Sequence, residues 1–169
     1  IAFVFVAIIL VLSWVECLAN CLMRITMYSM TEVALTDPAL VALFGKLSQA
    51  LAKTQGEETQ KQDFQGSGLI LALVAWHDGK AVGCGLLRKE DASRAAIKRL
   101  FSSSPGVGSA LLQSLEVHAK QQGFSSVLAA ARIMNGKAVN FFLHKGFKKC
   151  ASYGKYRYSS QTICLEKSL

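Results

Sequence analysis

The sequence lacks the residue patterns of several common kinds of functional site. Its five cysteines are odd in number, and their spacing matches neither a zinc site nor a disulfide framework. The three histidines are far apart and fall on different predicted elements, so we expect no metal site. There is no arginine-rich tail, although Lys and Arg exceed Asp and Glu by 19 to 11. The net charge of +8 favours binding to a polyphosphorylated cofactor or to an anionic membrane surface, or it belongs only to a solvated exterior. We do not expect a nucleic acid as the partner.

Three of the cysteines, Cys84, Cys150 and Cys164, stand among residues that are typical of strands. Cysteines in such positions are usually small hydrophobic core residues in the reduced state, which favours a reducing compartment. We therefore expect a cytoplasmic domain. A nucleophilic role for Cys84 is the alternative interpretation.

A hydrophobic segment of residues 1–26 precedes a predicted globular domain of residues 27–169. Residues 1–23 are mostly apolar and have about the length of a membrane-spanning helix, but a glutamate and an asparagine interrupt them. Three interpretations stay open: an artefactual extension, a membrane anchor, and a helix packed on the domain. For an anchor, Arg24 would place the domain on the cytoplasmic side, and membrane contact is expected only through residues 1–23.

The pattern after the hydrophobic segment predicts alternating strands and helices. Asp37-Pro38 is typical of a helix start, and apolar residues recur at helical spacing through to Lys53. His77-Asp78-Gly79-Lys80 predicts a hairpin, and the polar stretch 54–68 predicts a connection with room for a short helix. The predicted strands are 32–35, 69–76, 81–87, 95–102, 125–131, 147–153 and 158–166, and the other helices are 107–122 and 136–145. This order predicts an α/β (α+β) domain with a mixed sheet.

One glycine-rich turn stands between a predicted strand and a predicted helix. Ser104-Pro105-Gly106-Val107-Gly108-Ser109-Ala110 follows the strand and opens the helix 107–122. Backbone N–H groups and the positive end of the helix dipole meet at such a turn, which suits a phosphate. The turn by itself is weak evidence, because many such turns only reverse the chain.

A second signature, Asn135-x-x-Ala138-x-x-Phe141-Phe142-x-x-x-Gly146-Phe147, lies downstream. Taken singly, its phenylalanines are more often core residues than site residues. The order and separation of the two signatures together predict a site for coenzyme A, whose phosphates fit the excess of basic residues.

With these motifs, residues 30–169 resemble the GCN5-related N-acetyltransferases, the GNAT superfamily. Two further stretches resemble one bacterial subgroup: Ile97-Lys98-Arg99-Leu100-Phe101 and the tail that ends in Ile163-Cys164-Leu165-Glu166-Lys167. The resemblance implies the GNAT fold, a mostly antiparallel central sheet flanked by helices. It also implies an acyltransferase that moves an acetyl group from acetyl-CoA to an amine without a metal, in a family where homodimers are common.

The resemblance further implies roles for individual residues. The end of the fourth strand would pair its backbone with the pantetheine arm, and the N–H groups of the glycine turn would bind the pyrophosphate. Asn135 would hydrogen-bond the pantetheine, and the adjacent phenylalanines would flank its sulfur end. The implied cofactor-binding residues are Leu100, Phe101, Ser102, Gly106, Val107, Gly108, Ser109, Ala110, Asn135, Phe141 and Phe142.

Three positions depart from the family pattern. Ser103 stands where an Arg or Gln usually precedes the glycines, and the turn is several residues shorter. Phe142 stands where many members have a tyrosine that protonates the leaving thiolate, which phenylalanine cannot do. Ala96 stands where a glutamate, a candidate base, is common. Of the tyrosines near the C-terminal edge, Tyr156 is the candidate catalytic residue.

Two alternatives to an active enzyme stay open. One is a catalytically weak or inactive acyl-CoA-binding or regulatory module that kept the fold, and the other is a membrane-anchored interaction protein whose turn binds nothing. Glu90 and Asp91, after the third predicted strand, are candidates to bind a cationic substrate. The sequence leaves the acceptor open between small amines, amino acids, antibiotics and protein termini, because variable loops such as 54–68 build acceptor pockets.

Overall fold

A seven-stranded sheet organises the part of the chain that this computed structural model describes, residues 28–55 and 68–169. The hydrophobic segment 1–26 and the connection 56–67 lie outside the described residues. The strands are β1 (Ser29–Glu32), β2 (Leu69–His77), β3 (Lys80–Lys89), β4 (Arg94–Ser102), β5 (Ser126–Arg132), β6 (Lys148–Lys149) and β7 (Thr162–Ser168). The helices are α1 (Pro38–Gln55), α2 (Val107–Gln121), α3 (Gly136–His144) and a short 3-10 turn (Gly154–Tyr156).

The strands lie in the order β1-β2-β3-β4-β5-β7-β6. The β4–β5 pair is parallel, and the other neighbours are antiparallel. A parallel pair needs a crossover connection, and α2 supplies it between β4 and β5. The structure thus confirms the mixed, mostly antiparallel sheet flanked by helices.

Helices cover both faces of the sheet. Helix α2 buries Leu111 and Leu115 against one face, in a cluster that includes Leu87. Helix α1 buries Leu40 and Phe44 on the opposite face, against side chains of β2 and β3. Full burial of each such side chain contributes about 1.5–3 kcal/mol, so these two apolar stripes hold the layers together. None of the described helices is long and apolar enough to cross a membrane.

The predicted hairpin is confirmed, because Asp78 and Gly79 both have positive φ, at 48° and 70°. Three predicted strands near chain reversals have different bounds. The predicted strand 147–153 is only Lys148–Lys149, and the chain then turns through Gly154–Tyr156. The strand predicted at 158–166 begins instead at Thr162, and the one predicted at 32–35 is Ser29–Glu32. In the 147–153 segment the apolar pattern extends past the sheet, because Phe147 and Tyr153 are buried outside the two-residue strand.

Candidate active site

The centre of the sheet contains a gap between β4 and β5. The two strands pair from Arg94↔Ser126 to Ala96↔Leu128, and β4 then continues to Ser102 with strand pairing only to β3. Backbone groups on the β5 side of residues 97–102 therefore have no neighbouring strand among the described residues. Leu100, Phe101 and Ser102, the predicted partners of a pantetheine arm, belong to this open edge.

A β-bulge in β4 accompanies the gap. Strand pairing passes from Leu86↔Lys98 directly to Cys84↔Phe101, so two residues of β4 oppose one of β3. Arg99 takes φ of 49° there, and its guanidinium lies 5.0 Å from the centre of the Phe44 ring. Bulges bend a strand and re-aim its side chains, which is consistent with the departure of β4 from β5.

The glycine turn forms the start of α2. Gly106 has φ of 82°, and its carbonyl accepts hydrogen bonds from the N–H groups of Ser109 and Ala110 at 3.1 Å. Two of the five predicted phosphate-binding N–H groups are thus used inside the helix. Those of Gly106, Val107 and Gly108 precede the first intrahelical bond, and no side chain caps them. N–H groups in this position, at the positive end of the helix dipole, have the geometry that can bind an anion.

Gly108 brings the turn, the open edge and α3 together. A Cβ atom built on Gly108 would lie 3.1 Å from Ser102 Oγ and 3.9 Å from the Phe141 ring. In contrast, nothing lies within 4 Å of the Cβ position of Gly106, so the front of the turn is open. The two signatures that are far apart in sequence therefore meet at one place.

Two glycines of β3 set the position of α2, a role that the sequence analysis missed. A Cβ atom on Gly83 would lie 2.7 Å from Val107 Cγ1 and 2.9 Å from the Phe101 carbonyl oxygen. A Cβ atom on Gly85 would lie 2.8 Å from Leu115. Only glycine lets the helix come this close to the sheet. Their signal was a pair of small residues in an apolar strand, which by itself does not indicate a close contact.

Asn135 and the two phenylalanines lie at the start and on the inner face of α3. The Asn135 side-chain oxygen accepts a hydrogen bond from the Ala138 N–H at 3.2 Å and so caps the helix. This leaves the Asn135 amide hydrogens as the group that can meet a ligand. Phe141 is half-buried beside Gly108, whereas Phe142 is 7% exposed and packs against Phe147 at 5.0 Å between ring centres.

The candidate catalytic residue lines a separate pocket of about 180 Å³. Lys98 Nζ donates a hydrogen bond to Tyr156 Oη at 3.3 Å and lies 4.7 Å from the centre of its ring. Lys98 follows the last β4–β5 pair by two residues, so the pocket adjoins the gap. The full lining is Arg88, Lys89, Glu90, Lys98, Tyr153, Gly154, Lys155 and Tyr156.

The structure separates the two acidic residues that follow β3. Glu90 lines the pocket. Asp91 instead accepts hydrogen bonds from the N–H groups of Ser93 and Arg94 and pairs with the Arg94 guanidinium at 2.6 Å. The backbone hydrogen bond from Ser93, followed by the bond from the Arg94 side chain, lowers the pKa of Asp91. Asp91 therefore stabilises the turn before β4.

Neither a nucleophilic thiol nor a metal-binding cluster accompanies the pocket. Cys84 is fully buried, and burial raises the pKa of its thiol to about 12 in spite of the nearby Arg99 cation. Because the thiolate is the reactive form, Cys84 is a core residue. Within residues 28–55 and 68–169, no three His, Cys, Asp or Glu side chains come together to hold a metal ion.

The sequence model of the acetyltransferase (GNAT) family matches residues 38–147, which include the gap, the glycine turn and α3. The chain belongs to the GNAT family of acetyltransferases. No curated protein matches the sequence. Solved GNAT structures show the same fold at low sequence identity, so the assignment of function to individual residues rests on this chain's own geometry.

Three solved structures illustrate the similarity of fold. A candidate acyl-CoA N-acyltransferase from Klebsiella pneumoniae has a TM-score of 0.72 at 23% identity, over 85% of this chain and 99% of that one. A GNAT family acetyltransferase from Elizabethkingia anophelis with acetyl-CoA bound has a TM-score of 0.63 at 16% identity, over 84% and 98%. The PaiA N-acetyltransferase from Thermoplasma acidophilum in complex with coenzyme A has a TM-score of 0.62 at 16% identity, over 84% and 99%.

The structure also gives the local role of Ser103, one of the three departures from the GNAT pattern. Its N–H and its hydroxyl both donate to the Val82 carbonyl, at 2.8 and 3.1 Å. Ser103 thus extends the contact of β4 with β3 and is directed to the sheet. Binding of an anion at the start of α2 would therefore depend on backbone groups and on the helix dipole.

Proposed function

We propose that this GNAT chain is an N-acetyltransferase that moves the acetyl group of acetyl-CoA onto the amine of an acceptor. The observation that carries the proposal is the contact of the open β4 edge with the uncapped start of α2, through Ser102 and Gly108. An extended polar chain that ends in a pyrophosphate matches residues 100–102, which have no neighbouring strand on the β5 side, followed by N–H groups that precede the first intrahelical bond.

In this proposal the cofactor lies along the gap. The backbone of residues 100–102 would pair with the amides of the pantetheine arm as an added strand would. The N–H groups of Gly106, Val107 and Gly108 would bind the pyrophosphate. The amide hydrogens of Asn135 would reach a pantetheine carbonyl, and the half-buried Phe141 would cover the arm.

The acceptor would lie in the pocket next to the gap. Its neutral amine would attack the thioester carbonyl carbon, so that a C–N bond forms and the C–S bond breaks. The amine loses one proton and the departing thiolate takes one up. Tyr156 would donate a proton to the thiolate, and the Lys98 ammonium beside Tyr156 Oη would stabilise the phenolate that results. The proton that the amine loses would then restore the phenol, which closes the proton balance. Holding the amine and the thioester next to each other supplies the remaining acceleration of the reaction.

One observation favours a second function, acyl-CoA binding without turnover. Phe142 stands at the place of the family's acid, and its buried ring packs against Phe147. No proton can come from that position. The two functions differ in whether Tyr156 replaces the missing phenol.

Calorimetric titration of the full chain with acetyl-CoA and an assay of thiol release with amines test both functions. For the enzyme, we expect micromolar binding and turnover, and Tyr156→Phe should lower kcat by about a hundredfold while binding is kept. Tyr158→Phe is the matched control, because Tyr158 is 97% exposed. Binding without turnover would support the second function. Absence of binding by the folded chain would contradict both.

A further inference from the structure

The pocket that contains Tyr156 is strongly cationic. Arg88, Lys89, Lys98 and Lys155 contribute four positive charges to its lining, and Glu90 contributes one negative charge. The lining charge is therefore +3 at neutral pH. This exceeds what a spread of the chain's net charge of +8 over its whole surface would place in one small pocket.

Two of the four cations, Lys98 and Lys155, lie over tyrosine rings of the pocket. Lys98 Nζ lies 5.4 Å from the centre of the Tyr153 ring and 4.7 Å from that of Tyr156. Lys155 Nζ lies 5.6 Å from the centre of the Tyr156 ring. Contact with the aromatic faces favours these positions of the two ammonium groups, and both residues add positive charge to the pocket lining.

A second observation independently indicates a ligand. Tyr153 is 4% exposed, and its Oη has no hydrogen-bond partner among the described residues. Buried polar groups are nearly always hydrogen-bonded, so each exception needs an explanation. Tyr153 lines the pocket, and an oxygen acceptor of a ligand that reaches its buried hydroxyl would satisfy that hydroxyl.

Glu90 occupies a defined place in the same pocket. A Cβ atom built on Gly154 would lie 2.5 Å from Glu90 Oε1, so the carboxylate is held against the Gly154 backbone. One carboxylate among four cations can accept the hydrogens of an amine at a single position. It does not make the pocket suitable for a polycation.

We propose that the acceptor is an amine that also carries a carboxylate, such as an amino acid, with the carboxylate held by the pocket cations and the Tyr153 hydroxyl. This inference rests on the proposed function, since it names the substrate class of the same site. The cations would also favour the neutral form of the bound amine, which is the form that attacks. The inference differs from the sequence-based prediction of a cationic substrate at Glu90 and Asp91.

A binding experiment tests the pocket without any turnover. The full ¹⁵N-labelled chain is titrated with N-acetylglycine, a carboxylate product analogue, and with N-acetylglycinamide, its neutral match. We expect the backbone amide signals of Gly154 and Lys155 to shift during the titration. The Kd for N-acetylglycine should be at least tenfold lower than that for N-acetylglycinamide, and added salt should reduce this difference. Equal affinities, or no shift with either compound, would overturn the proposal.

Variants that remove one positive charge show which lysine contributes to carboxylate binding. Lys155→Gln should weaken carboxylate binding several-fold and leave the amide unchanged, whereas Lys120→Gln, at an exposed position late in α2, should change neither. In the thiol-release assay, L-amino acids should exceed their primary amides in kcat/KM, and a preference for amides or diamines would refute the substrate class. If the chain binds N-acetylglycine but not acetyl-CoA, the proposed function is refuted, while the carboxylate site in the pocket is supported.

Discussion

A negative charge placed in the first turn of α2 should have opposite effects on the stability of the helix and on the binding of an anion at its start. Ser109 is the third residue of α2, and its N–H already bonds to the Gly106 carbonyl. In Ser109→Asp the new carboxylate would lie near the positive end of the dipole. That interaction contributes about 0.3–1 kcal/mol to the helix, so the free energy of unfolding should not fall.

The same carboxylate should repel a pyrophosphate bound at Gly106–Gly108. At about 6 Å in water, two unit charges repel by about 0.7 kcal/mol. A pyrophosphate with two charges would then lose about 1.4 kcal/mol, which is about a tenfold rise in Kd for acetyl-CoA. The effect should shrink as salt is added, because the turn is open to solvent.

The assay is calorimetric titration of the full chain with acetyl-CoA at low and at high salt. Ser109→Asn keeps the shape of the side chain without its charge and should stay within about twofold of the original Kd. Gln113→Glu adds the same charge at an exposed position one turn further along α2 and should also have little effect. If Ser109→Asp binds as tightly as the original chain while its stability is unchanged, the pyrophosphate does not lie at this helix start.

Three further experiments test Asn135, Gly83 and Cys84. Asn135→Ala should weaken acetyl-CoA binding in calorimetry, and it should lower the free energy of unfolding by about 1 kcal/mol because the helix cap is lost. Asn140→Ala, on the exposed side of α3, is the control and should preserve the affinity. Equal affinities of the two variants would contradict a role of Asn135 in binding. Gly83→Ala should lower the free energy of unfolding in urea by about 1–3 kcal/mol, because its Cβ meets Val107 and the Phe101 carbonyl. The control is Gly45→Ala in α1, where nothing lies within 4 Å of the Cβ position, and it should raise the free energy of unfolding by up to about 1 kcal/mol. If Gly83→Ala is as stable as the original chain, the tight contact at Gly83 is refuted. Since burial raises the pKa of Cys84 to about 12, iodoacetamide at pH 8 should leave it unmodified in the folded chain, as peptide mass spectrometry would show. Modification as fast as in urea would contradict its burial.

The sequence by itself determined the local features of this protein. Asp78-Gly79 form the predicted hairpin turn, and the Asp37 side chain accepts from the N–H groups of Ala39 and Leu40 at the start of α1. The glycine turn likewise opens α2 where the sequence predicted. Each of these features depends on the preferred backbone angles and hydrogen bonds of residues that are close in sequence.

The tertiary structure decided where strands end and which side chains meet. Pairing of β4 with β5 stops after Ala96, and no local residue pattern predicts this, because it depends on how far two distant strands diverge. Strand ends near residue 153 were misjudged because a turn buried Tyr153 as a strand would have done. The cationic pocket joins Arg88 of β3, Lys98 of β4 and Lys155 of the 3-10 turn. Its charge became apparent only when the sheet brought these three elements together, since electrostatic attraction depends on distance in space and not on separation along the chain.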